Sequence, residues 1–109
     1  MAKDIVSHLR FVGTTPQSGH REYGFRVEDK EKGLRQVILT IENGMFRESQ
    51  LMFQEAPDLC YQKLLADLRN ETEEMPIQAR VSVTVSDVDA YRGSHPNIKL
   101  RAKRSMKSL

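Results

Sequence analysis

Apolar and polar residues alternate with a period of two along most of this chain, and the period changes to that of a helix only once. Residues 4–12 (DIVSHLRFV) predict a first strand. The loop Gly13–Gly19 follows, broken by Gly and Pro. Tyr23, Phe25 and Val27 then alternate with Gly24, Arg26 and Glu28, which is the signature of a half-buried strand. A polar turn over Asp29–Gly33 leads to a strand at residues 34–42, with Val37, Leu39 and Ile41 directed inward. Asn43-Gly44 suits a type I′ turn, so the pattern predicts a returning strand over residues 45–53. In that segment Phe46 and Phe53 fall on opposite faces, and a bulge near residues 48–50 is needed to reconcile them. Tyr61, Leu64, Leu65 and Leu68 repeat at helical spacing and predict a helix from about Pro57 to about Glu74, stopped by Pro76. The most regular alternation runs from Ile77 to Asp89 and predicts the last strand.

The predicted fold is therefore α+β, an antiparallel sheet in the order β-β-β-β-α-β with one main helix on one face. Its expected core is Tyr23, Phe25, Val27, Val37, Leu39, Ile41, Leu64, Leu68, Val81, Val83 and Val85. The other face of the sheet is left to solvent. The chain's 109 residues suffice for one domain. Residues 1–98 are expected to form it, with 99–109 as a flexible basic tail. A domain of this size has a thin core, and there is no Trp to thicken it. Exposed sheet edges beside such a core favour pairing of two copies.

Charge is distributed unevenly. The net charge is +2, yet residues 92–109 hold six Lys or Arg and no acid, leaving eleven bases against fifteen acids in residues 1–91. A stretch with that balance can contact phosphates and release their counterions, and it equally fits a plain solvated tail. No apolar run is long enough to span a bilayer and no signal-like segment follows Met1. The lone Cys60 suits a reducing compartment, so a cytoplasmic location is expected.

Catalytic and cofactor motifs are not evident. The glycines are dispersed, with no phosphate loop. Cys60, His8, His20 and His95 are too scattered for a zinc site. Cys60 stands near a helix start but also borders the buried stripe, and it reads as core. Asp87 and Asp89 would share a strand face about 7 Å apart. That spacing suits a cation, but no third ligand stands nearby, and they read as a polar strand end. The expectation is a non-enzymatic protein with no metal and no cofactor.

The segment from Arg21 to about Asn70 resembles one repeat of the PUR family of single-stranded nucleic-acid-binding proteins. The resemblance lies in Tyr23-Gly24-Phe25-Arg26-Val27, in the charged turn Glu28-Asp29-Lys30-Glu31-Lys32-Gly33, in the apolar strand Val37–Ile41 and in the leucine-spaced helix. Two departures are the absence of an aromatic after Gly33 and the additional strand from Ile77. The resemblance implies a sheet face that stacks bases and contacts phosphates, and repeats that pair as a homodimer. On this reading the ligand is single-stranded nucleic acid. The candidate contacts are Arg26, Arg47 and Arg80 on the folded body and Lys99, Arg101, Lys103, Arg104 and Lys107 in the tail. The competing expectation is a protein-interaction module that associates through a sheet edge or the helix.

Overall fold

The computed structural model describes residues 6–29, 33–48 and 51–94. Three long strands come first: β1 (Val6–Pro16), β2 (His20–Asp29) and β3 (Gly33–Glu42). They form an antiparallel meander in which Tyr23 lies opposite Leu39 and Phe25 opposite Val37. Two turns have a glycine in the left-handed region, Gly19 at φ +89° and Gly33 at φ +75°. At these points any other L-residue would be strained. Val12 is skipped in the β1–β2 register and stands 56% exposed as a bulge.

After β3 the chain departs from the predicted pattern. The described residues of 45–53 do not return as a strand, and residues 49–50, in the stretch where a bulge was expected, lie outside the described residues. A short helix α1 (Gly44–Glu48) forms instead, and a 3-10 turn follows at Phe53–Glu55. The reason lies in the two phenylalanines that alternation would split. With the chain coiled, their rings meet at 4.6 Å, and the Arg21 guanidinium sits 4.3 Å over the Phe53 ring. Asn43 works as a helix entrance, its carbonyl accepting from Phe46 N–H at 3.1 Å.

The main helix α2 (Ala56–Arg69) has Pro57 in its first turn, where the missing N–H costs nothing. It ends at Asn70, five residues before Met75 and short of the predicted Glu74. Ala56, Leu59, Cys60, Leu64 and Leu68 form its buried stripe. The stripe packs on Tyr23, Phe25, Val27, Val37, Leu39 and Ile41, and Tyr61 meets the Phe25 ring at 6.4 Å.

The last predicted strand is also corrected. Only Arg80–Ser82 is extended, as β4, and a helix α3 (Val85–Ser94) follows. β4 pairs in parallel with β3, Val81 opposite Leu39, so the sheet is mixed and not purely antiparallel. Its strand order is β1-β2-β3-β4. Thr84 and Asp87 make the change of structure. Thr84 N–H donates to Asp87 Oδ2 at 2.8 Å and Asp87 N–H donates to Thr84 Oγ1 at 3.2 Å. This reciprocal cap fixes a helix start. Val83 enters the core, 4% exposed, and Val81 packs against it half-buried. Val85, expected inside, is 55% exposed on α3, where Val88 is buried instead. No helix among the described residues is long and apolar enough to cross a membrane.

A charged triad ties these pieces together. Arg35, on the inner face of β3, donates from Nη2 to Asp29 Oδ2 at 3.0 Å. It also grips Glu71 in a fork, Nη1 to Oε2 at 2.9 Å and Nη2 to Oε1 at 3.2 Å. Glu71 in turn accepts from Ile77 N–H at 2.9 Å. The two carboxylates hold Arg35 charged to higher pH than usual.

Removing Arg35 would leave two largely buried carboxylates facing each other. Arg35→Ala is expected to cost about 3 kcal/mol or more in chemical denaturation, and Arg35→Met combined with Asp29→Asn and Glu71→Gln should recover part of that loss. Val83→Ala is expected to cost about 1–3 kcal/mol in the same assay, through lost burial and the residual cavity.

Candidate functional site

The meander buries the side chains of one face and leaves the other uncovered by any helix of the described residues. On that open face the register sets side chains in rows across the strands. One row is Arg10, Arg26 and Gln36, on β1, β2 and β3 in direct opposition. The next is Gly13, Gly24, Ile38 and Arg80, on all four strands. Beyond it come Thr15, Glu22, Thr40 and Ser82. On the other side of the arginine row His8 stands opposite Glu28.

The arginine row is unusual for a sheet surface. Like charges directly opposite on paired strands destabilise one another. Arg10 and Arg26 are both exposed, and among the described residues neither is within ion-pair distance of an acid. Together with Gln36 they present a strip of hydrogen-bond donors about 10 Å wide, given the usual strand spacing. His8, Arg10, Arg26 and Glu28 line a shallow depression there.

The adjoining glycine row is low. Gly24 has an ordinary strand φ, and a Cβ built on it would meet only Gly13 O at 3.9 Å and Val12 Cβ at 4.0 Å. Neither backbone conformation nor crowding within the chain requires glycine at this central position. The open space above it is free for another molecule.

Of the residues singled out from sequence, Arg26 belongs to this site. Arg80 lies on the same face, but its guanidinium donates to Glu22 Oε2 at 2.8 Å. That hydrogen bond, with a smaller contribution from His20, holds the Glu22 carboxyl below its ordinary pKa. Arg47 is on α1, past the end of β3 and roughly 20 Å along the strand from the arginine row. Lys99, Arg101, Lys103, Arg104 and Lys107 lie outside the described residues. Arg10 was missed. Its alternation with Leu9 and Phe11 carried the signal, but only the bulged register places it opposite Arg26.

The other candidates have structural roles. Cys60 is fully buried beneath α2, and desolvation pushes its thiol pKa up to about 12. Asp87 and Asp89 share no strand. Asp87 caps α3 and pairs with Lys63 Nζ at 3.3 Å, and Asp89 is exposed on the helix. No group of three His, Cys, Asp or Glu among the described residues could hold a metal ion.

Comparison with protein-family models, with characterised proteins and with solved structures finds no match to this chain.

The raised thiol pKa has a direction in stability. A Cys60 held neutral in the folded state and titrating near its ordinary value when unfolded contributes stability that is complete below about pH 9. That contribution is lost progressively as pH rises toward 12. Denaturation midpoints should therefore fall over this range, and less so in Cys60→Ala. At pH 8 a thiol reagent should label the folded protein only at the rate at which it opens.

Proposed function

We propose that the chain is a non-catalytic binding module that takes single-stranded nucleic acid on the open face of its sheet. The observation that carries this reading is the Arg10–Arg26–Gln36 row. Two guanidiniums opposed across a strand pair repel each other in the free protein, and an anion between them reverses the sign of that interaction. Planar guanidinium forks suit phosphate oxygens, and the Gln36 amide adds a neutral donor. The row of Gly13, Gly24 and Ile38 beside it gives a flat, weakly polar floor against which a base can lie.

No Phe, Tyr or Trp stands on this face among the described residues, so the contacts favour phosphate over base. Such contacts position a strand without reading its sequence. The basic residues 99–109 would add to the same electrostatic attraction. The resemblance to PUR-type repeats implies the same class of ligand, although three strands, not four, precede α2 here.

A protein-interaction reading rests on a different feature, the outer edge of β1. Among the described residues this strand pairs only with β2, and it presents Phe11 and Val12 exposed beside the other edge. Unpaired strand edges favour association, and in this reading two copies pair through β1 as a homodimer.

Anisotropy titrations of labelled single strands separate the two. Affinity should fall with salt at a log–log slope of about −0.7 per phosphate contact. Arg10→Ala and Arg26→Ala should each weaken binding on all sequences and flatten the slope by about that amount, with no loss of fold. Gly24→Val fills the floor with a residue strands prefer. It should raise stability by about 0.5–1 kcal/mol yet weaken binding. Absence of binding at about 50 mM salt, where phosphate contacts are strong, would sink the nucleic-acid reading. Sedimentation showing a dimer that β1 variants abolish would then favour the interaction module.

A further inference from the structure

The C-terminal helix α3 is attached to the rest of the fold differently from α2. Val88 is its one fully buried residue, and Tyr91 is partly buried. Its other ties to the body are charged or polar side chains at three points along its length. Near its start, Asp87 pairs with Lys63 of α2 at 3.3 Å. Toward its end, Tyr91 Oη donates to Asp58 Oδ2 at 2.8 Å. One residue on, Arg92 forms a fork with Glu55, Nη1 to Oε2 and Nη2 to Oε1, both at 2.8 Å. Between the two helices a groove lined by Leu59, Lys63, Ala66, Asp87, Ala90 and Tyr91 remains open.

From this arrangement we infer that α3 is a latch held by charge, able to leave α2 while the sheet and α2 stay folded. A helix docked by one buried valine, a partly buried tyrosine and polar contacts has less apolar burial to lose on release than α2, so its opening free energy lies below that of the core. The two ion pairs keep partial solvent access, with side chains 17–24% exposed, so they are screened more than fully buried pairs. The helix itself does not depend on docking for its start, because Thr84 and Asp87 cap it within the segment.

This inference does not rest on the nucleic-acid reading, and it can be tested with no ligand present.

The test is amide hydrogen exchange on the full chain and on the triple variant Lys63→Met, Tyr91→Phe and Arg92→Gln, which spares Val88 and the Thr84–Asp87 cap. The expected result is exchange about tenfold or more faster at residues 88–94 in the variant, as several contacts are lost together. Amides of Tyr23–Val27 and Val37–Ile41 should keep their protection. Two results would overturn the latch. One is unchanged exchange in α3. The other is a rise in α3 matched by an equal rise in the core strands, which would mean that α3 opens only when the whole domain does.

Discussion

The fold turns on one guanidinium. Arg35 sits on the inner face of a strand whose neighbouring inward residues are Val37, Leu39 and Ile41, and a charge placed there would be costly if left alone. Asp29 and Glu71 meet it, and each comes from a different part of the chain. Asp29 ends β2, so its pairing closes the β2–β3 hairpin. Glu71 follows α2, and by also accepting from Ile77 N–H it turns the chain toward β4. Without this junction the helix could still lie on the sheet, but the segment that brings β4 into parallel register with β3 would lose one of its anchors. The arrangement has a cost as well, since the buried Arg35 Nε–H finds no acceptor among the described residues. A triad of this kind contributes more to the choice of one geometry than to net stability.

The two faces of the sheet divide structure from recognition. The inner face is filled by aromatic and branched side chains under α2 and leaves no room for a ligand. The open face carries no Phe, Tyr or Trp among the described residues, and Leu34 and Ile38 are its large apolar side chains on β3. Its features are the paired arginines, the glycine row and the polar rows around them. Because adjacent strands lie only about 5 Å apart, residues far apart in sequence form continuous strips there. Arg10 and Gln36 become parts of one surface only through the pairing of both with β2. The electrostatics of the face are local. Arg80 and Glu22 neutralise each other, while the cations at Arg10 and Arg26 stay unmatched by any described acid in ion-pair range.

Polar contacts also distinguish the two larger helices. α2 buries an apolar stripe and belongs to the core. α3 has one buried residue and is placed by side chains that reach to Glu55, Asp58 and Lys63. Elements of the second kind open more readily, because charge contacts at a partly wet surface give less stability than apolar burial. The charge asymmetry of the chain meets the fold at this point, since the basic C-terminal stretch leaves from the less firmly held helix.

Much of the fold was legible from residues alone. The strands at Tyr23–Val27 and Val37–Ile41 and the helix through Leu64 and Leu68 follow from period and β-branching, because burial on one side imposes a pattern on each element by itself. The Thr84–Asp87 cap was legible too, but the regular alternation of Ile77–Val85 concealed it. A period-two pattern shows which residues could share a face without showing how far the strand extends. Other features could not be read locally. Phe46 and Phe53 are reconciled by coiling the chain so that their rings meet, and alternation cannot express that contact. The parallel β3–β4 pairing and the Arg35–Glu71 fork join residues more than thirty positions apart. The opposition of Arg10 and Arg26 depends on the bulge at Val12, which sets the register of β1. The sequence by itself determined which side chains seek burial, because that is a property of each residue and its near neighbours. The tertiary structure decided which exposed residues stand together, because cross-strand register and long-range charge pairing exist only once the chain has closed on itself.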